Sequence, residues 1–541
     1  MIHSTMQRVP LSVNHLLERA GRVFPKATIV SRLPNKSLTR YTNADLYRRA
    51  RQLAAALQRA GLEKGDRVAT LSWNHYAHLE CYFGVPAAGG VLHTLNLRLG
   101  PEEIAWVANH AEDRFLVVDD VLLPLFERFR GQVSFDRVIV VPLTGAPVRA
   151  PDIDYEAFIE RSAESFSYAE HDEDDAVAMC YTSGTTGHPK GVVYSHRSTL
   201  LHALAVNATP SCAARAGDTC CPVVPMFHAN AWGMPYCCAM VGANLVMPGP
   251  HLGAADLVDL FNAAGVTQTC GVPTIWISIL QLLEREPDGW RLPGGLRMTV
   301  GGAALPESVA RGLERHGATV RVGWGMTEVS PVGSLSGAAP GLEDMSADER
   351  TRRAVMGGIP LPLVEPRIVG EDGTEQPWDG VALGELQVRG PFVAAGYHNE
   401  PTGQEKFTAD GFLRTGDVAA IDAHAFIRIA DRTKDLIKSG GEWISSVDME
   451  GHLMSHPAVL EAAVIAIPDP KWIERPLACV VCKPGMQVTA DDLRQHLAPY
   501  YARWQLPHRV EFIDAIPRTS AGKFSKLKLR ECFAAESRQL T

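Results

Sequence analysis

The chain has 541 residues, 46% of them hydrophobic, which is more than one globular unit usually holds, so at least two domains are expected. Its 61 Asp plus Glu exceed its 52 Lys plus Arg, giving a net charge of −9, and no long basic run offers a stripe that tracks phosphates; nucleic acid is not an expected partner. The 11 cysteines are scattered and the first residues lack the apolar core and cleavage site of a secretory signal, so reduced thiols in a cytoplasmic protein are expected.

In chain order, the first clear element is a helix. Leu46, Ala50, Leu53 and Leu57 share one face at helical spacing after a candidate cap at Asn43. Gly61 closes the helix, and Gly65-Asp66 turns into a strand over Val68 to Leu71. Helical and strand patterns alternate in this way for about four hundred residues, the signature of an α/β architecture. The run Ala176 to Tyr181 reads as a strand. The stretch Cys220 to Gly253 carries no Asp, Glu, Lys or Arg, but Pro222, Pro225, Pro235, Pro248 and Pro250 would break a membrane-spanning helix, so it reads as core and apolar pocket. Asp431-Arg-Thr-Lys-Asp435 is densely charged between apolar stretches and marks a domain boundary. Beyond it, apolar runs at Ala462 to Ile467 and Leu477 to Cys482 and a polar helix around Asp491 to Leu497 give a small α+β domain. Cys479-Val-Val-Cys482 has the spacing of a metal or redox pair. It lies on a strand that points the two sulfurs to opposite faces, with no second pair to complete a zinc site.

The strongest local signal follows the strand at Ala176 to Tyr181. In Thr182-Ser-Gly-Thr-Thr-Gly-His-Pro-Lys-Gly191, small residues let backbone N–H groups and hydroxyls close around phosphate oxygens, and Lys190 adds a mobile positive charge. Pro189 before the lysine and Gly191 after it exclude the Walker pattern, which needs Gly-Lys-Ser/Thr.

With that loop, four further segments and the C-terminal Pro517-Arg-Thr-Ser-Ala-Gly-Lys523, the sequence resembles the adenylate-forming superfamily of acyl-CoA synthetases, peptide-synthetase adenylation domains and luciferases. The four are Gly323-Trp-Gly-Met-Thr-Glu328, Arg414-Thr-Gly-Asp417, Asp431-Arg-Thr-Lys-Asp435 and Lys438-Ser-Gly-Gly-Glu-Trp443. The resemblance covers nearly the whole chain. Bacterial fatty-acid and methylthiopropionate-CoA ligases also share forms of Pro225-Met-Phe-His-Ala-Asn-Ala-Trp232.

The resemblance implies a large multi-subdomain α/β N-terminal domain over residues 1–430, a hinge at 431–435 and a small, mobile α+β domain over 436–541. It implies ATP, Mg²⁺ and coenzyme A as cofactor and co-substrates, and a homodimer. Thr182 and Glu328 would help to hold the metal. Ser183, Gly184, Thr185, Thr186, Gly187 and Lys190 would face the phosphates. Gly302, Ala303 and Ala304, with Gly323, Trp324, Gly325, Met326 and Thr327, would enclose adenine, Trp324 by stacking. Asp417 and Arg432 would bind the ribose. Lys523 would supply positive charge for adenylate formation, where two anionic partners meet. After the small domain turns about Lys434, Lys438, Gly441 and Trp443 would replace Lys523 for transfer to coenzyme A.

The acyl pocket is expected from His228, Trp232, Gly301 and Pro331, with Trp232 at the position of an aromatic gate in related fatty-acyl synthetases. Amino-acid-activating relatives place an acidic residue directly after the Phe227 position. Here that residue is His228, which leaves a substrate ammonium unpaired, a costly arrangement. The expected activity is therefore an AMP-forming carboxylic acid–CoA ligase for short- or medium-chain fatty acids or 3-methylmercaptopropionate. The alternatives are a long-chain ligase and a stand-alone enzyme that loads a carrier protein. A non-catalytic nucleotide sensor is opposed by the presence together of Lys190, Glu328, Asp417 and Lys523.

Overall fold

The computed structural model describes residues 3–160, 166–182, 188–210, 212–337, 344–400, 404–439, 442–469, 471–519 and 523–537. The expected residues Ser183, Gly184, Thr185, Thr186, Gly187 and Gly441 lie outside them.

Two mainly parallel sheets form most of the N-terminal body. One has seven strands, in the order Ile153–Asp154, Arg137–Val141, Asp113–Asp119, Arg67–Leu71, Val91–Thr94, Ala176–Tyr181, Gly191–Ser195. Its last pair is antiparallel, and the expected phosphate loop lies between those two strands in the sequence. The second sheet has nine strands and carries the parallel set Asn244–Met247, Thr219–Pro222, Gln268–Gly271, Arg297–Val300 and Thr319–Gly325. Buried strands such as Phe115 to Val118 and Ile139 to Val141 are continuous apolar runs, as parallel strands covered on both faces require. A four-stranded antiparallel sheet follows, built from Glu365–Val369, Gly384–Arg389, Leu413–Ile421 and Ile427–Arg432.

The C-terminal region has its own five-stranded sheet, with Val459–Asp469 and Ile473–Cys482 as its long hairpin. Helices Ser446–Met454, Ala490–Leu497 and Lys526–Ser537 accompany it. Its interior divides into a cluster around Ile437, Leu453 and Val464 and a second around Ile465, Leu477 and Leu529. Among the described residues, no helix is long and apolar enough to cross a membrane. The charge-free stretch folds instead into the short strands Thr219–Pro222 and Asn244–Met247 and the helix Met234–Val241.

Local expectations meet the structure in instructive ways. The early helix runs from Asn43 to Arg59, and its cap is Thr42 rather than Asn43. Thr42 accepts from the Asp45 N–H while the Asp45 carboxylate accepts from the Thr42 N–H, a reciprocal pair that Asn43 could not complete. Cys479 is fully buried and Cys482 half-exposed, in keeping with the opposite faces expected of a strand. The charged segment at Asp431 is less bare than its composition implies. Asp431 is buried, its carboxylate accepts from the N–H and hydroxyl of Ser446, and Asp435 pairs with Arg530. Contacts therefore tie the two sides of this segment together, because a buried carboxylate must find donors.

Candidate active site

A cleft opens where strands of both large sheets end. The segment after Val91–Thr94 supplies Asn96 and Arg98, and the segment after Thr219–Pro222 supplies Val224, Pro225, Phe227 and His228. Val272 and Ile275 follow Gln268–Gly271. Together they line a void of about 20 Å³, room for little more than one water. Carboxyl ends of strands are where open α/β sheets present ligand sites. Asn74 fixes this wall. Its side-chain amide donates to the carbonyls of Pro222 and Val224 at 3.0 Å each and accepts from the Met226 N–H at 2.7 Å.

Gly301 and Gly302 continue the strand Arg297–Val300 as a ledge over which other groups close. A Cβ on Gly302 would lie 3.3 Å from Cε and 3.9 Å from Nζ of Lys523, and 3.4 Å from Val272. A Cβ on Gly301 would lie 3.1 Å from the Trp232 ring and 3.2 Å from the Gly323 carbonyl oxygen. Lys523, His228, Trp232, Gly301 and Gly302 thus converge, although they come from three widely separated stretches of sequence. Ala303 and Ala304 follow on the exposed part of this loop.

Trp232 reaches the ledge by an unusual route. Ala229, Asn230, Ala231 and Trp232 have φ of 43°, 53°, 51° and 56°, and Gly233 follows at 76°. The chain makes one turn of the left-handed sense, which costs non-glycine residues roughly 1–2 kcal/mol each. Neighbours hold it there. His202 packs where a Cβ on Gly233 would sit, at 2.9 Å, and its Nε2 accepts from the Val332 N–H at 3.2 Å. Burial lowers the His202 pKa to about 3, so the ring is neutral and able to accept.

The strand Thr319–Gly325 delivers the next group. Gly325 packs so tightly that a Cβ would overlap the Pro331 carbonyl oxygen at 1.9 Å, and that oxygen accepts from the Met326 N–H at 2.9 Å. The Thr327 carbonyl accepts from Tyr194. Glu328, only 4% exposed, accepts from the Tyr397 hydroxyl at 2.7 Å. Trp324 donates its indole N–H to Asp417 at 2.7 Å, while the other oxygen of Asp417 pairs with Arg432 at 2.7 Å. Asp417 and Arg432 are direct partners across an antiparallel ladder, so the sheet itself sets their spacing.

At the base of the phosphate hairpin, the Thr182 N–H donates to the Lys190 carbonyl at 2.9 Å and the Lys190 N–H to the Thr182 hydroxyl at 3.0 Å. The Lys190 ammonium lies 5.1 Å from the centre of the Tyr397 ring.

Charge in the cleft is tuned by burial. Burial, then Arg432, lowers the Lys523 pKa to about 8 against the raising effect of Asp417 and Glu328. Burial, then Lys523 and Arg98, lowers the His228 pKa to about 4. Near neutrality the cleft therefore offers a cationic lysine beside an uncharged imidazole.

Three expected residues lie elsewhere. Lys438 is exposed and pairs with Glu371 at 2.6 Å. Trp443 stands opposite Lys438 on a hairpin and packs towards Val418, Ala430 and Leu436. Lys434 is exposed in the turn after Arg432. Tyr397, Asn74 and His202 make contacts at the candidate site that sequence reasoning missed; an aromatic following Gly396 was the only local sign of Tyr397.

A two-domain α/β body, a phosphate hairpin, an acid and lysine at strand ends and a C-terminal lysine in the cleft define an adenylate-forming enzyme. The chain belongs to the AMP-binding enzyme family, matching it over residues 17–398 and its C-terminal domain over residues 448–523. It is 48% identical over 530 residues to a long-chain-fatty-acid–CoA ligase of Thermus thermophilus, covering 98% of this chain and 96% of that one. It is 41% identical over 533 residues to a 3-methylmercaptopropionyl-CoA ligase of Ruegeria lacuscaerulensis, covering 98% of each. ATP-bound MatB of Rhodopseudomonas palustris superposes with a TM-score of 0.81 at 26% identity, covering 97% of this chain and 99% of that one.

Proposed function

We propose that the chain is an AMP-forming acid–thiol ligase that converts a short- or medium-chain fatty acid, or 3-methylmercaptopropionate, to its coenzyme A thioester through an acyl adenylate. The observation that carries this reading is Lys523 over the Gly301-Gly302 ledge, between the wall at His228 and the acids Glu328 and Asp417. A carboxylate entering along that wall meets a cation where negative charge gathers as it attacks the α-phosphate. Asp417, held by Trp324 and Arg432, presents acceptor oxygens suited to ribose hydroxyls. Neutral His228 adds no charge to the wall, in keeping with an acid that lacks an α-amino group.

No group of three or more His, Cys, Asp or Glu among the described residues could hold a metal, so these residues offer no cage of their own. Mg²⁺ is commonly held by one or two carboxylates together with substrate phosphates, and Glu328, with one oxygen held by Tyr397, fits that role; Thr182 would assist. When bound, the metal neutralises phosphate charge. Lys438 and Trp443, outside the cleft here, belong in this reading to a second pose of the C-terminal domain, reached by turning near Lys434, in which coenzyme A attacks the adenylate. Family resemblance supports a cytoplasmic homodimer.

A second reading, a long-chain substrate, is favoured by the 48% identity to the Thermus ligase. ATP/pyrophosphate exchange with butyrate to hexadecanoate, 3-methylmercaptopropionate and amino acids, then thioester formation with coenzyme A, tests both. The expected maximum lies between butyrate and octanoate or at the methylthio acid. A maximum at hexadecanoate selects the second reading, and efficient turnover of an amino acid refutes both.

A further inference from the structure

The loop between strands Gly384–Arg389 and Leu413–Ile421 crosses from the phosphate hairpin to Glu328 and grips both. The His398 N–H donates to the Gly191 carbonyl at 2.9 Å, the Ala394 N–H to the Glu328 carbonyl at 2.7 Å, and the Phe392 carbonyl accepts from the Ser330 hydroxyl at 2.8 Å. Tyr397 projects from the middle of this clip. Its hydroxyl donates to Oε1 of Glu328 at 2.7 Å, and its ring supports the Lys190 ammonium at 5.1 Å. Phe407 packs against the same ring at 5.9 Å between centroids.

One side chain therefore touches both the cation and the anion that would face the triphosphate. A lysine and a buried carboxylate that share a neighbour attract one another, and an ion pair between them would have to break before substrate could bind. The aromatic face gives the ammonium an alternative resting place. The hydroxyl occupies one oxygen of the Glu328 carboxylate. We propose that Tyr397 is a positioning residue for the nucleotide site: it aims Glu328 at the metal through its hydroxyl and keeps Lys190 apart from Glu328 through its ring. The inference rests on the reading of Glu328 as the metal-binding carboxylate. Partners that orient ligating groups typically contribute ten- to a hundredfold in metal affinity.

Removing the two functions separately tests it in the full-length chain. Tyr397→Phe deletes only the hydroxyl, Tyr397→Leu deletes the ring as well, and Glu328→Gln serves as the control. Mn²⁺ affinity is read by electron paramagnetic resonance with α,β-methylene-ATP present; affinity for the same analogue is read again in EDTA, with melting temperature as the folding check. Tyr397→Phe is expected to lose about ten- to a hundredfold in Mn²⁺ affinity and to keep its metal-free nucleotide affinity within about twofold. Tyr397→Leu is expected to lose both. If Glu328→Gln loses Mn²⁺ and Tyr397→Phe does not, the positioning role is overturned while the reading of Glu328 stands. If Glu328→Gln keeps Mn²⁺, that reading falls and the inference with it. Equal metal-free nucleotide affinity in Tyr397→Leu and the parent overturns the role of the ring.

Discussion

Lys523 and Lys438 carry the same charge within the same C-terminal region, yet they sit in opposite surroundings. Lys523 is drawn into the cleft, against the Gly302 ledge, and burial lowers its pKa to about 8. Lys438 stands in solvent on the Ile437–Ser439 strand, paired with an exposed glutamate. The contrast shows that placement, rather than residue type, decides what a lysine contributes. A desolvated ammonium acts strongly on a nearby developing charge, and a solvated one is screened. In the proposed reading this arrangement serves adenylate formation, with Lys523 rather than Lys438 at the ledge.

The largest expected effect follows from removing the inner lysine. Lys523→Ala should lower acid-dependent ATP/pyrophosphate exchange by about a hundredfold to a thousandfold, while thioester formation from a supplied acyl adenylate and coenzyme A stays near the parent rate. Parallel loss of both steps would remove the distinction between the two lysines. Lys438→Ala should show the mirror image: exchange is preserved, and coenzyme A-dependent thioester release falls roughly ten- to a hundredfold, the scale of a misplaced reacting group. Rapid-quench measurement of each half-reaction decides it.

A pH profile sharpens the comparison next. Lys523 carries its charge below its lowered pKa of about 8 and loses it above, so exchange should fall about tenfold per unit once pH passes that value. The limb should be missing from Lys523→Ala. The sign for stability is opposite. Between about pH 8 and the ordinary lysine range the unfolded chain binds more protons at this site than the folded one, so this lysine makes the fold more stable as pH rises through that window. The smallest effect belongs to the outer pair. Glu371→Gln should change stability by no more than about 1 kcal/mol, as exposed ion pairs do, with calorimetry showing a melting temperature close to that of the parent.

Much of the fold was legible because local patterns carried it: the strand before the phosphate loop, the helix around Leu53, and the Pro-rich apolar stretch that could not span a membrane. Motifs singled out Thr182, Glu328, Asp417 and Lys523, and the structure sets Lys523 beside Gly302 and Asp417 between Trp324 and Arg432. What escaped was made by contacts at long range. Tyr397 meets Glu328 across 69 positions and Lys438 meets Glu371 across 67, and no periodicity records such pairs. Thr42 was missed for the opposite reason. Two adjacent residues could each cap the helix, and only the reciprocal bond with Asp45 separates them.

The turn at 229–233 has a consequence for anyone wishing to transplant the proposed Trp232 gate. A right-handed turn of the same length would carry the indole of Trp232 to the other side of the chain, away from Gly301, so the aromatic residue and the mirror-handed backbone beneath it form one inheritable unit. Copying the tryptophan alone onto a relative whose chain turns the ordinary way would move a large ring to the wrong wall. A workable graft must bring Ala229 to Gly233 together with His202, the neighbour packed against Gly233.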